Sequence, residues 1–249
     1  MALILGVIPA RWGSKRFPGK ALYPIAGRPL LARVIDRARA AHCLAAILVA
    51  TDDERIARLA RECGVEAVMT SSSHPSGTDR IAEAIQGRRA DVVVNIQGDE
   101  PLVDPELIDA VGRAVAESGW EMATAAAPIR DAADLTNPAV VKVVWAADGR
   151  ALYFSRSPIP YDRDGVAGKE SEPVWWRHIG LYAYERHFLE RLVCEGPCRL
   201  ERLEQLEQLR ALHLGARIQV VRTSEAGVGV DTPEDVARAE AALRAANLA

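Results

Sequence analysis

Through the first 120 residues, apolar runs of strand length alternate with segments of helical period, and this alternation limits the fold more than any other feature. Residues 3–9 form a continuous apolar run, suited to a strand buried on both faces. Leu30, Leu31, Val34, Ile35 and Ala38 then make a helical stripe. A strand at 47–50 precedes a short helix with Ile56, Leu59 and Cys63 inward, stopped by Gly64. A third strand is expected at 65–69, a helix at 78–86 and a strand at 92–96. A helix follows at 105–117, with Asp104 as N-cap and Pro105 at its first position. Strand and helix in this order predict a parallel sheet with crossover helices on both faces.

Beyond Trp120 the rhythm changes. Strands are expected at 122–127, 140–145 and 151–155, the last two joined by a turn at Asp148–Gly149. Residues 161–173 read as a polar surface loop able to move, and 178–184 as a strand. Leu203, Leu206, Leu209 and Leu212 give 202–214 an apolar helical face, 218–221 is a strand, and Thr232-Pro233-Glu234 opens a last helix with a cap and an N1 proline. No repeat or low-complexity linker interrupts the chain, so the expectation is one α/β domain whose second half inserts antiparallel strands.

Composition narrows the function. Of 249 residues 49% are hydrophobic and 26% charged, as in ordinary globular proteins. Thirty-one basic against 34 acidic side chains leave a formal charge of −3, which gives no reason for nonspecific binding to nucleic acid or an anionic membrane. No stretch approaches the ~20 apolar residues that span a bilayer. The apolar start lacks a basic leader and soon meets Arg11, Lys15 and Arg16, so no signal peptide is expected. The four cysteines are scattered; Cys194 and Cys198, with His187 nearby, form at most half a metal site, and the plainer reading is reduced thiols in a cytoplasmic protein.

The first strand runs straight into Pro9-Ala-Arg-Trp-Gly-Ser-Lys-Arg-Phe-Pro-Gly-Lys20. Residues 11–20 hold four cations (Arg11, Lys15, Arg16, Lys20), no acid, and two glycines. In a parallel sheet, ligands bind at the carboxyl ends of strands. A glycine-containing cationic turn there suits a polyphosphate, whose oxygens take backbone N–H groups and basic side chains. Five residues separate Gly13 from Gly19, and no Ser or Thr follows Lys20, so this is not a Walker A loop; no Gly-x-Gly-x-x-Gly follows the strand either. Asp99, at the end of the 92–96 strand, would face the same crevice and suits a hard cation such as Mg²⁺. Asp231 stands at another strand-to-helix junction, where a metal ligand and a helix N-cap are both open readings. Cationic loop and strand-end aspartates together meet the needs of metal-assisted nucleotidyl transfer. Residues 74–80, His-Pro-Ser-Gly-Thr-Asp-Arg, precede a helix, so Ser and Thr serve as caps or as part of a loop reading a nucleobase. Trp175-Trp176 is read as packing.

Several stretches resemble the 3-deoxy-manno-octulosonate (KDO) cytidylyltransferase family: Ile8-Pro-Ala-Arg, Arg16-Phe-Pro-Gly-Lys20, Ala50-Thr-Asp52, 74–80, Asn95-Ile-Gln-Gly-Asp-Glu-Pro101, Lys142, Ala151-Leu-Tyr-Phe-Ser-Arg156, Arg177-His-Ile-Gly180, Leu206-Glu-Gln-Leu-Arg210 and Gly229-Val-Asp-Thr-Pro-Glu-Asp235. They run in family order over nearly the whole chain. Trp12 stands where the family often has Tyr, and Arg163 lies in a variable loop. The resemblance implies a Rossmann-like three-layer nucleotidyltransferase fold, with residues 1–120 and 215–249 as nucleotide-binding portion and 121–214 as sugar-binding and dimerisation portion. It implies transfer of CMP from CTP to KDO with Mg²⁺, in the cytoplasm, by a homodimer serving lipopolysaccharide synthesis. By the same resemblance Lys20, Arg11 and Asp99 are catalytic, and Ala10, Ser14, Ser76, Gly77 and Arg80 join Arg11 and Lys20 around the nucleotide. Gln97, Arg156, Arg163, His178, Glu207 and Gln208 would surround the sugar acid, and Asp99 and Asp231 would hold magnesium. Within the class, the alternatives are cytidylyltransferases for 8-amino-KDO or a sialic acid; outside it, a silent nucleotide-binding protein or a glycosyltransferase.

Overall fold

The computed structural model describes residues 2–14 and 16–248, so Lys15 of the cationic loop lies outside the described residues. The chain begins with β1 (Ile4–Ala10), a small hairpin of β2 (Pro24–Ile25) and β3 (Arg28–Pro29), α1 (Leu30–Arg39), β4 (Ala46–Thr51), α2 (Glu54–Glu62), β5 (Glu66–Met69), α3 (Gly77–Ala84), β6 (Val92–Asn95) and α4 (Pro105–Ser118). It continues through β7 (Met122–Pro128), α5 (Ala132–Thr136), β8 (Lys142–Trp145), β9 (Ala151–Ser155), β10 (Trp176–Glu185), α6 (Arg186–Cys194), α7 (Arg199–Glu204), α8 (Gln208–His213), β11 (Ile218–Arg222) and α9 (Asp235–Ala245).

Side-chain alternation along β1 explains the layers. Ile4 and Ile8 face Leu31, Val34, Ile108 and Val111 of α1 and α4, whereas Leu5 and Val7 face Ile81, Leu189 and Leu209 of α3, α6 and α8. Both faces are therefore covered, the expected helix–sheet–helix arrangement. The main sheet runs β11-β7-β10-β6-β1-β4-β5. β1 pairs in parallel with β4 and β6, as do β4 with β5 and β11 with β7. β10 enters antiparallel between β6 and β7, and the β8–β9 hairpin hangs from it. Its Trp176 ring packs edge-on against Trp145 at 5.1 Å, in keeping with the packing reading of the tryptophan pair.

Local signals set most boundaries. Asp104 accepts from the Glu106 N–H, with Pro105 at the first helical position, and Asp53 caps α2 by accepting from the Arg55 N–H. Two expectations need correction. The helix expected at 202–214 is two short helices, because Gln205 adopts left-handed backbone (φ 52) and breaks the run; Leu203 is 71% exposed, whereas Leu206 and Leu209 are buried. The last helix begins at Asp235, so neither Thr232 nor Pro233 occupies the expected cap and N1 positions. Instead the Asp235 carboxylate accepts from the Asp231 and Thr232 N–H groups and the Thr232 hydroxyl.

A small third core ties the two ends of the chain together. Phe17 of the cationic loop is buried with Ile25, Leu30, Val230, Ala239 and Leu243. Phe17, Ile25, Leu30, Val230 and Leu243 each contribute about 1.5–3 kcal/mol on full burial. That core fastens the loop after β1 to the segment carrying Asp231.

Candidate active site

The sheet order places the site. From β1 the chain winds outward through β4 and β5, then returns to β6 on the other side of β1. Loops following β1 and β6 therefore diverge, opening a crevice at the carboxyl ends of neighbouring strands. A cavity of about 440 Å³ lies there, lined by Ala10, Arg11, Ser14, Arg16, Lys20, His74, Ser76, Gly77, Arg80, Gln97, Asp99 and Asp231, among others. Every residue assigned to the nucleotide or the metal thus lines one cavity.

The loop after β1 closes on a single carbonyl: Trp12 O accepts from Ser14 N (2.9 Å) and Gly19 N (3.0 Å). Gly19 has φ 73, and a Cβ there would stand 2.8 Å from the Trp12 ring, so only glycine fits. On the Trp12 ring lies the Arg55 guanidinium, 3.3 Å from its centroid and held in turn by Asp53. The turn brings Lys20 into the crevice, where its ammonium donates to Asp99 Oδ2 (2.6 Å), Asp231 Oδ1 (3.2 Å) and the Val230 carbonyl (3.2 Å). Arg16 pairs with the other Asp231 oxygen at 3.0 Å. Asp231 is thus no helix N-cap: its carboxylate is engaged by the two cations. Two carboxylates and a main-chain carbonyl around one point are hard oxygen donors of the kind Mg²⁺ takes, so the residues fit that ion.

Arg80, almost fully buried, donates to Thr70 Oγ1 (2.5 Å) and Asp52 Oδ2 (3.0 Å). The other Asp52 oxygen is buried with no hydrogen-bond partner among the described residues. Ser76 is the N-cap of α3, accepting from Asp79 N (3.2 Å), and it also lines the cavity, so the cap leaves it at the crevice. His74 pairs with Glu83, whose carboxyl is held below its ordinary range first by the histidine. Burial, then the Asp99 charge, pushes Glu100 up to about 7.

A second cavity, about 200 Å³, adjoins the first across the shared residues Gly77 and Gln97 and includes Asn95, Tyr182, Tyr184, Glu207 and Gln208 in its lining. The Gln208 Nε2 is buried without an acceptor among the described residues. Burial raises Glu207, and burial followed by the Glu207 charge raises Tyr184, so the Tyr184 hydroxyl keeps its hydrogen.

Three of the residues assigned to the sugar acid stand outside both linings. The Arg156 guanidinium donates to the carbonyls of Glu204 (2.6 Å), Pro138 (2.8 Å) and Gln205 (3.2 Å), clamping the end of α7. Arg163 is 88% exposed on its side chain, beside Asp164 at 3.8 Å. His178 lies one layer behind, between Phe154 and Tyr182, with Nε2 3.0 Å from Thr124 Oγ1. Burial pushes its pKa down to about 3. The Thr124 hydroxyl hydrogen faces the carbonyls of Ile179 and Leu181, so the ring nitrogen donates and the imidazole is neutral with hydrogen on Nε2.

Sequence reasoning gave no role to Asp52, Glu100, Tyr182 or Tyr184, and named Arg16 and His74 only as members of the cationic turn and of the 74–80 loop. Asp52 carried a signal, a carboxylate at a strand's carboxyl end, and the two tyrosines sit two apart on a buried strand, where each hydroxyl needs a partner. Cys198 is no half-site: its Sγ caps α7 by accepting from Glu201 N (3.4 Å), and Cys194 is exposed. Among the described residues no cluster of three or more His, Cys, Asp or Glu is arranged to hold a metal.

A model described as cytidylyltransferase matches residues 5–218. The chain is 51% identical to a 3-deoxy-manno-octulosonate cytidylyltransferase of Anaeromyxobacter dehalogenans, over 96% of this chain and 97% of that protein. A protein of the same name from Bdellovibrio bacteriovorus is 49% identical over the same shares. A structure of CMP:2-keto-3-deoxy-manno-octonic acid synthetase complexed with CTP superposes with a TM-score of 0.92 at 37% identity, covering 98% of this chain and all of that one. The crevice after β1, its lysine between two aspartates and these likenesses agree: the chain belongs to the 3-deoxy-manno-octulosonate cytidylyltransferase family.

Proposed function

We propose that the protein transfers CMP from CTP to 3-deoxy-manno-octulosonate, releasing pyrophosphate and supplying activated KDO for lipopolysaccharide synthesis in the cytoplasm. The observation that carries this reading is the convergence of Lys20, Asp99 and Asp231 at the mouth of the nucleotide cavity, beside a second cavity of sugar size.

The anomeric hydroxyl of the sugar attacks the α-phosphorus of CTP in line with departing pyrophosphate, so charge grows on the α-phosphoryl and leaving-group oxygens. Lys20 and Arg11 offset that charge, and the Trp12–Gly19 closure holds them on a preformed turn, which lowers the cost of reorganisation. Asp99 and Asp231 would hold Mg²⁺, which when bound neutralises phosphate charge and acidifies the attacking hydroxyl. Gln97, on the wall common to both cavities, contacts the sugar acid near the reacting atoms, while Glu207 and Gln208 grip its hydroxyls. Arg80, fixed by Asp52 and Thr70, reads the nucleotide.

The test is CTP-dependent pyrophosphate release with KDO, 8-amino-KDO and a sialic acid, with and without EDTA. KDO is expected to give the highest kcat/KM and EDTA to abolish release. Turnover with a sialic acid but not KDO, or CTP binding without turnover on any sugar, would overturn the assignment.

A further inference from the structure

We propose that Glu100 is a positioning residue: its carboxylate, seated against the backbone of Gly227 and Gly229, sets where Asp231 stands relative to Lys20 and Asp99. A Cβ on Gly229 would lie 2.9 Å from Glu100 Oε1, and one on Gly227 would lie 3.0 Å from Oε2. Neither glycine has left-handed backbone, so it is the nearby carboxylate, rather than φ, that opposes a side chain at both positions, and the Glu100 carboxylate must give way to admit one. One residue further on, Val230 N donates to the Asp99 carbonyl (2.9 Å) and Val230 O accepts from Lys20 (3.2 Å). The same strap is fixed beyond Asp231 by the Asp235 carboxylate. Glu100 thus touches the strap on the approach to the metal pair, adjoining Asp99 in the chain, and its displacement would carry Asp231 with it. The Mg²⁺ arm of the inference rests on the proposed role of Asp99 and Asp231 as metal ligands; the steric arm does not.

The test measures Mg²⁺ binding by calorimetry to the CTP-saturated enzyme, without sugar, together with the melting temperature of each variant. Glu100→Ala is expected to weaken Mg²⁺ binding by about 10-fold or more, the scale seen when partners of metal ligands are removed. Glu100→Gln, which keeps the shape, is expected to stay within about twofold, well short of that scale. Gly229→Ala is expected to weaken binding like Glu100→Ala, and the double variant Glu100→Ala/Gly229→Ala to be no worse than Glu100→Ala alone, because the clash partner is gone. Unchanged affinity in Glu100→Ala, equal losses in the Gln and Ala variants, or additive losses in the double variant would each overturn the proposal. If Glu100→Ala fails to fold, comparison of Glu100→Gln with Gly229→Ala decides: wild-type Mg²⁺ affinity in Gly229→Ala overturns it. Absence of Mg²⁺ binding in the unaltered enzyme would instead strike the metal reading.

Discussion

The Lys20 ammonium has three hydrogens and three oxygens to receive them, two from carboxylates that lie 132 positions apart in the chain numbering, Asp99 and Asp231. Removing either carboxylate takes away a ligand of the proposed metal and an anchor of the Lys20 ammonium, and with them the placement of the cations that offset charge in the transition state. Asp99→Asn and Asp231→Asn are each expected to lower kcat by at least ~100-fold, the scale of one lost transition-state contact. Pyrophosphate release at the unaltered rate in both variants would remove the metal assignment. The residue chemistry was legible in part: Lys20, Asp99 and the cationic turn stand out in the sequence. For Asp231 two readings stayed open, because a carboxylate before a helix is equally a cap; the contacts with Arg16 and Lys20 exclude the cap.

Among the elements, β10 carries the least predictable chemistry. It enters antiparallel between β6 and β7, with a register shift between Ile179 and Tyr182. His178 packs there edge-on to Phe154 and tilted against Tyr182, with one hydroxyl partner, and its charged form is disfavoured. The folded-state pKa of about 3 lies below the ordinary 6.5, so between those values the folded chain binds fewer protons than the unfolded one. Stability from this group is present above pH 6.5 and is lost as pH falls toward 3. His178→Gln, which keeps a donor to Thr124, is expected to flatten the acid limb of a melting-temperature profile over that window relative to the unaltered protein; parallel profiles would contradict the neutral assignment. Strand and helix positions were legible from periodicity, as α4 with Asp104 and Pro105 shows. The break at Gln205 was not, because the leucine spacing continues through it while Arg156 and the packing of Leu206 and Leu209 hold the turn.

For the whole molecule, we propose that residues 121–214 form the sugar-binding and dimerisation portion and the rest the nucleotide-binding portion. In support, Tyr182, Tyr184, Glu207 and Gln208 line the second cavity, and Leu152, Leu200 and Leu203 of the same portion expose apolar side chains. Such side chains on neighbouring insertions suit a surface covered by a second copy. Sedimentation equilibrium is expected to return twice the mass of one chain, and Leu152→Lys/Leu203→Lys to lower it. A monomer at micromolar concentration would count against the dimer.

The sequence by itself determined the alternation of strands and helices as far as α4, the parallel sheet with covered faces and the cationic turn at the end of the first strand, because periodicity, caps and turn residues act over a few positions; α5, α6 and the β2–β3 hairpin came only from the structure. Only the tertiary structure decided which charged groups meet. Sheet order put β6 beside β1, the Phe17–Val230 core drew Asp231 to Lys20, and the folding of α7 turned Arg156 onto carbonyls and away from both cavities. Those pairings depend on contacts between residues far apart in the chain, whose partners no local pattern specifies.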